Sequence, residues 1–344
     1  MTIASNKTDQ YPWLDLEHPE NILSLAREHG WIPPSAQLVR LERPGEGNMN
    51  FLVRVITDQN SIIIKQSRPW VERFQQIPAP VERINTEAAF YDIIRHDRLL
   101  STRFPRLIDR WPSLHLLVLE DLGSNGDFSF IYQQPDELLP SVLYELVTLL
   151  SRLHHLTFSA EQRQGYPDNM ALRRLNHEYF YEFPFRLDNG LDLEVIQPGL
   201  SFLVQPFKQD EELLAGIHHL GQVYLSPGPA LIHGDFIPSC WLKTLRGIAV
   251  IDPEFSFFGR PEFDLGIMVA HLYLAQVDVE LIDQVLNTYE EPAGFDQPLR
   301  LAFTGIEILR RLIGIAQLPV KLSLERKNAL LRHGAELIKL WHQA

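Results

Sequence analysis

Two acid-bearing stretches are equipped for chemistry. In "LIHGDFIPSCWL", residues 231–242, His233, Gly234 and Asp235 separate two apolar runs. In "VIDPEFSFFGRPEFDLG", residues 250–266, Asp252 and Glu254 close another apolar run and Asp264 follows. An aspartate displayed on a loop after an apolar strand can accept a proton from a substrate hydroxyl and orient that hydroxyl for attack. In an extended segment residues i and i+2 face the same way, so Asp252 and Glu254 are expected to offer oxygens to one cation. A few hard oxygen ligands suit Mg2+ when phosphate groups complete its shell. One aspartate for a hydroxyl and two acids for a metal are the minimum for phosphoryl transfer.

The neighbouring residues have plainer roles. His233 is expected to brace the loop rather than to shuttle protons. Asp264 is expected to cap the helix that follows it, while also holding the catalytic loop. Cys240 stands five residues after Asp235. No basic partner for it is evident, so it is not expected to be a nucleophile.

Other groups must hold a phosphate donor. "RPGEGNMNFLVRV" is a strand–loop–strand with Gly45 and Gly47, where backbone N–H groups can approach phosphates. "IIIKQ" places Lys65 inside a β-branched run, an odd site for a charge unless it points into a cleft. Glu87, on the next helix, can pair with Lys65 and hold it towards the phosphates.

The elements that position these groups fall in two sets. "PENILSLAREHG" has helical period and stops at a glycine. Three strand-like runs come next, "AQLVRLE", "MNFLVRVI" and "SIIIKQS", then the helix "PVERINTEAAFYDIIRHD", then the strands "FPRLIDRW" and "HLLVLEDLG". "GSNGD", residues 123–127, reads as a linker. Beyond it helical patterns dominate, broken by one hairpin-like pair, "CWLKTL" and "GIAVID". The expected fold class is α+β, with residues 1–17 an arm, 18–122 a small β-rich lobe and 123–344 a larger helical lobe. Ligands favour the cleft between two such lobes.

Composition agrees with a globular protein. The chain has 344 residues, 45% hydrophobic and 22% charged, enough for a sizeable core. No run approaches the ~18 apolar residues of a membrane span. The polar first residues lack the apolar core of a signal peptide. One cysteine fits a reducing compartment, so the cytoplasm is the expected location. The net charge of −13 argues against general nucleic-acid binding, although a metal and local basic groups can still draw an anion into one site.

The order Gly loop, strand Lys, helix Glu, H-G-D loop and I-D-x-E resembles the aminoglycoside phosphotransferase and choline kinase superfamily, which has a protein-kinase-like fold. Within it the sequence is most similar to methylthioribose kinase. "GEGNMNFLVRV", "IIIKQSRPWV", "IDPEFSFFGRPEFDLG" and "FTGIEILRRLIGIAQ" carry the resemblance across residues 45–317. It implies ATP and Mg2+ as cofactors and a small-molecule hydroxyl as acceptor, with Asp235 as catalytic base and Asp252 and Glu254 as metal ligands. Gly45, Gly47, Asn48 and Lys65 would meet the nucleotide, Glu87 would pair with Lys65, and the backbone from Leu119 to Leu122, including Glu120, would receive adenine. Arg310 and Arg311 match an arginine pair that contacts the sugar, and guanidinium groups suit sugar oxygens and developing phosphate charge. A homodimer is left open.

Two features depart from the superfamily pattern. Most members carry Asn where this chain has Cys240, and methylthioribose kinases carry Ser. A thiol is a poor ligand for hard Mg2+, so either one metal suffices with water in that place, or activity is impaired. Phe236, Ile237 and Pro238 also alter the loop beside the hydroxyl site. The alternatives are a choline or ethanolamine kinase, an aminoglycoside-type kinase, and a nucleotide-binding pseudokinase. The arginine pair speaks against a cationic acceptor, and retention of Asp235, Asp252, Glu254 and Lys65 speaks against a pseudokinase. Absence of His-rich ligand spacing excludes a dimetal hydrolase.

Overall fold

The computed structural model describes residues 13–45, 47 and 49–344; most of the expected arm, and Asn48, lie outside them. The protein has the α+β architecture expected, a β-sheet amino-terminal region and a helical carboxy-terminal region. It divides into two compact units. Unit 1 comprises residues 1–125 and 244–254, and unit 2 comprises residues 126–243 and 255–344.

Unit 1 is built on α1 (Pro19–Glu28), β1 (Leu38–Glu42), β2 (Phe51–Thr57), β3 (Ser61–Gln66), β4 (Trp70–Val71), β5 (Phe74–Pro78), α2 (Arg83–Ile94), β6 (Leu107–Trp111) and β7 (Leu116–Glu120). Proline in its first turn starts α1, and Gly30, at φ +70°, turns the chain out of it. The main sheet runs β1-β2-β3-β7-β6 with antiparallel neighbours. Alternation sorts its faces. Val53, Val55, Ile62, Ile64, Leu116 and Val118 join Ile22, Leu25 and Trp31 in one buried core. Lys65 is one residue out of phase with Ile62 and Ile64 and projects from the opposite face. The hairpin β4–β5 was not legible, because its turn, Glu72–Arg73, contains neither glycine nor proline.

Unit 2 carries α3 (Pro140–His154), α4 (Ala160–Gly165), α5 (Met170–His177), α6 (Leu193–Ile196), α7 (Leu200–Lys208), α8 (Glu211–Leu225), β8 (Ala230–Ile232) and β9 (Trp241–Thr244). After β10 (Gly247–Val250), which belongs to unit 1, it resumes with β11 (Phe257–Gly259), α9 (Pro261–Leu274), α10 (Val279–Leu286), α11 (Gln297–Ile313) and α12 (Leu324–Gln343). Both strands of the expected pair form, as β9 and β10, while β8 pairs with β11. α11 packs along both α9 and α12. Gly305 and Gly334 let α11 and α12 touch backbone to backbone, since a Cβ on Gly305 would lie 2.4 Å from the Gly334 carbonyl oxygen. A wide π turn, Glu178–Glu182, comes after α5. Among the described residues no helix is long and apolar enough to cross a membrane.

Candidate active site

In unit 1 the charges converge on Lys65. Its ammonium is 1% exposed and lies 2.6 Å from Glu87 on α2 and 2.6 Å from Asp252 after β10. Burial alone would lower its pKa; the carboxylates of Asp252, Glu87 and Glu254 outweigh burial and hold the ammonium above the ordinary lysine range. Burial pushes the Glu87 carboxyl up to about 7 against the opposing pull of Lys65. Tyr91 donates to the second Glu87 oxygen at 3.2 Å. The expected Lys65–Glu87 pair is therefore present, and Asp252 joins it.

The segment holding Asp252 and Glu254 is not extended, which corrects the i, i+2 expectation. Asp252 has φ +64° and Pro253–Phe255 form a 3-10 turn, so the two carboxylates take different partners. Asp252, whose side chain is 35% exposed, meets Lys65. Glu254 is buried and accepts from Asn50 Nδ2 at 2.9 Å, with Arg83 Nε at 3.2 Å. The donor set holds hard carboxylate oxygens without soft ligands, and the exposed side of Asp252 fits a divalent cation that completes its shell with phosphate and water. Among the described residues no three His, Cys, Asp or Glu side chains gather as a closed metal cluster.

Asn50 and Arg83 were missed by sequence reasoning. Arg83 is 1% exposed; it donates to Asn50 Oδ1 at 2.9 Å and to the carbonyls of Met49, Arg68 and Pro80. It thereby ties the end of the Gly45–Gly47 loop to Glu254. One signal was available, because Arg83 precedes Glu87 by one helical turn and shares its face. In that loop Gly45 is exposed with φ +156°, and a Cβ on Gly47 would lie 2.5 Å from Leu52.

At the end of β7 the Glu120 side chain is turned to Arg246 Nη2 at 3.1 Å, and its backbone N–H donates to Arg106 O. Arg54, also unforeseen, anchors the chain just past β7: it donates to Asp121 at 3.1 Å and to Gly123 O at 2.6 Å. Leu122 lies between these two anchors, partly exposed.

In unit 2, Asp235 is half-buried on the loop after β8. Its backbone N–H donates to His233 Nδ1 at 3.3 Å, so His233 braces the loop. Gly234 sits at φ +83°, where a Cβ would come 2.2 Å from the Phe255 carbonyl oxygen, and only glycine serves. The loop hangs on Asp264, which accepts from His233 N–H at 2.6 Å and Gly234 N–H at 2.9 Å. His154 Nε2 meets Asp264 at 3.2 Å, and Tyr289 meets His154 at 2.7 Å. Asp264 is not a helix cap: Pro261 starts α9 earlier, and Arg260 takes the capping position without a side-chain bond. Phe236 packs edge-on against His233, and Cys240 is buried in the turn Pro238–Cys240.

Arg310 and Arg311 are buried on α11 and both bind Glu307. Burial lowers the Arg310 pKa to about 10, with Arg311 adding to the fall and Glu307 and Asp235 opposing it. For Arg311, Glu307 and Asp235 outweigh burial and raise it. The same aspartate thus acts electrostatically on both guanidinium groups, which joins three of the anticipated residues in one unit.

A model of the Phosphotransferase enzyme family (APH) matches residues 51–302, a stretch that contains Lys65, Glu87, Asp235, Asp252 and Glu254. Methylthioribose kinase 2 of Oryza sativa subsp. japonica is 26% identical over 250 residues, which cover 68% of this chain and 56% of the rice protein. This chain thus spans little more than half the length of that relative. Methylthioribose kinase of Exiguobacterium sibiricum is 24% identical over 380 residues, covering 88% of each chain. An ADP-bound aminoglycoside phosphotransferase shares the fold, with a TM-score of 0.51, 15% identity and coverage of 94% of this chain and 99% of that one. The chain belongs to the Phosphotransferase enzyme family.

Proposed function

We propose that the protein is an ATP- and Mg2+-dependent kinase that moves the γ-phosphate to a hydroxyl of a small molecule, a methylthioribose-like sugar. The observation that carries this reading is the buried ion triad of Lys65, Glu87 and Asp252. A lysine kept charged at 1% exposure, beside a carboxylate that still reaches solvent, is suited to a phosphate with its counter-ion. Relatives named methylthioribose kinase and a fold neighbour that binds ADP support it.

Lys65 contacts the donor phosphates, the Gly45–Gly47 backbone approaches them, and the backbone from Leu119 to Leu122 receives adenine. Asp252 and Glu254 would hold the magnesium ion, which when bound shields phosphate charge. Asp235 orients the acceptor hydroxyl and takes its proton as the oxygen bonds to the γ-phosphorus and the bond to the bridging oxygen of ADP breaks. Arg310 and Arg311 donate to acceptor oxygens. The paired guanidinium groups themselves speak against a cationic acceptor such as choline or an aminoglycoside. The setting we propose is the cytoplasm.

The test is ADP release by purified protein with Mg-ATP against methylthioribose, ribose-like sugars, choline and aminoglycosides, with Asp235→Asn as control. Turnover on methylthioribose that the substitution abolishes is expected. Turnover confined to cationic acceptors would overturn the acceptor assignment, and nucleotide binding without any turnover would overturn the kinase.

A further inference from the structure

We propose that Glu307, backed by His271 and Tyr132, is a positioning residue that fixes the Arg310–Arg311 pair for the acceptor, so that acceptor affinity depends on this buried chain and nucleotide affinity does not. The inference rests on the kinase reading above and names the groups that set its acceptor subsite.

Three elements supply the chain. Tyr132 ends the short 3-10 turn Ser129–Tyr132, His271 lies on α9, and Glu307, Arg310 and Arg311 lie on α11. Spacings of three and four residues put both arginines on the face of Glu307. Tyr132 Oη is 2.5 Å from His271 Nδ1, and His271 Nε2 is 2.9 Å from Glu307 Oε1. Arg310 donates through Nε to Oε2 and through Nη2 to Oε1 at 2.9 Å, and Arg311 donates through Nε to Oε1 at 2.7 Å.

These contacts decide the role of Glu307. An ionised carboxylate accepts about four hydrogen bonds, and here four protein donors converge on it, three on Oε1 and one on Oε2. Glu307 is 0% exposed, so it has no surface left for a ligand. What it does is aim. With Nε, and in Arg310 also Nη2, committed to the carboxylate, Arg310 Nη1 and Arg311 Nη2 make no hydrogen bond with another described residue. The ring of Phe180, from the π turn, covers Arg310 at 3.3 Å. A planar fork pinned on one edge and stacked on its face presents its remaining donors in a fixed direction.

His271 completes the hydrogen-bond order. Because Glu307 only accepts, Nε2 carries the imidazole hydrogen, and Nδ1 accepts from Tyr132. Burial lowers the His271 pKa to about 4, so the ring donates without adding a third cation beside one carboxylate.

The test has two independent readouts on the full chain. In 15N NMR, His271 is expected to be the neutral Nε2–H tautomer at neutral pH and to remain neutral down to about 4. An Nδ1–H tautomer or an imidazolium at neutral pH would overturn the chain. In steady-state kinetics, Glu307→Gln is expected to raise the acceptor KM about tenfold or more, and Tyr132→Phe about threefold, with the ATP KM unchanged. An unchanged acceptor KM in both variants, or an ATP KM that rises in step, would overturn the positioning role. Should Glu307→Gln not fold, Tyr132→Phe decides the kinetics alone. If the wild-type protein turns over no acceptor, the kinase reading falls, and the NMR tautomer decides the hydrogen-bonded chain separately.

Discussion

The Lys65 ammonium lies 2.6 Å from Oδ1 of Asp252, a residue 187 positions further along the chain. The contact places the group proposed to meet phosphate beside a carboxylate proposed to meet the metal. Glu87 binds the same ammonium from α2, so the lysine is held from two directions before any ligand arrives. The fully buried Lys65–Glu87 pair is stabilising only while both members are present, because a lone ion left buried is costly.

Lys65→Met strands Glu87, which is 0% exposed. Unfolding stability is expected to drop by about 3 kcal/mol and ADP release by about a hundredfold or more. Adding Glu87→Gln should restore most of the stability, by removing the stranded charge, without restoring turnover. Urea denaturation and ADP release on the single and double variants check this. Recovery of both together would sink the assignment of Lys65 to phosphate.

Asp252→Asn and Glu254→Gln should separate cleanly. Asp252 is partly exposed, so its loss is expected to raise the Mg2+ concentration needed for half-maximal turnover by about tenfold or more with little loss of fold stability. Glu254→Gln removes the charge that Arg83 faces in the interior and should cost about 2 kcal/mol as well. Mg2+ titrations with melting curves read both, and chelation by EDTA should abolish turnover throughout. Equal effects from the two substitutions would contradict the division of labour between the carboxylates.

Asp264→Asn keeps the shape of the side chain but turns one acceptor into a donor facing a backbone N–H of His233 or Gly234. A loss of about 1–3 kcal/mol is expected, with a lower kcat, because the loop carrying Asp235 loses one of its two ties. The ATP KM should stay near its wild-type value. Unaltered kcat would show that the loop holds its geometry without this carboxylate.

The stability of the fold should fall in mild acid. In the folded state burial lowers the His271 pKa from 6.5 to about 4, so between those values the unfolded chain binds the proton more readily. The contribution is intact above about 6.5 and is lost as pH falls towards 4, reaching about 3 kcal/mol if fully expressed. Denaturant midpoints measured across that range should decline with pH. The slope should be shallower in His271→Gln, and an identical slope in that variant would remove His271 as its source.

Local pattern alone specified a great deal of this protein. Near-alternation and β-branched residues located β1, β2 and β3 and marked Lys65 as a charge inside an apolar run. The H-G-D and D-P-E stretches announced themselves at strand ends, and helical period located α1, α2, α3, α8, α9, α11 and α12. These features depend on neighbours within one or two turns of chain, which is why they can be read in order along it.

Partners far apart in sequence were decided only by tertiary packing. Nothing near Arg83 states that it will lie on Glu254, and nothing near Asp264 states that it will hold the loop without also capping its helix. The same holds for Tyr132, His271 and Glu307, which come from a turn and two helices. A buried polar group must find a partner, but burial, and which donor the fold brings within reach, are properties of the packed chain. Sequence therefore offered the candidates for chemistry, and the three-dimensional packing selected the residues that hold them in place.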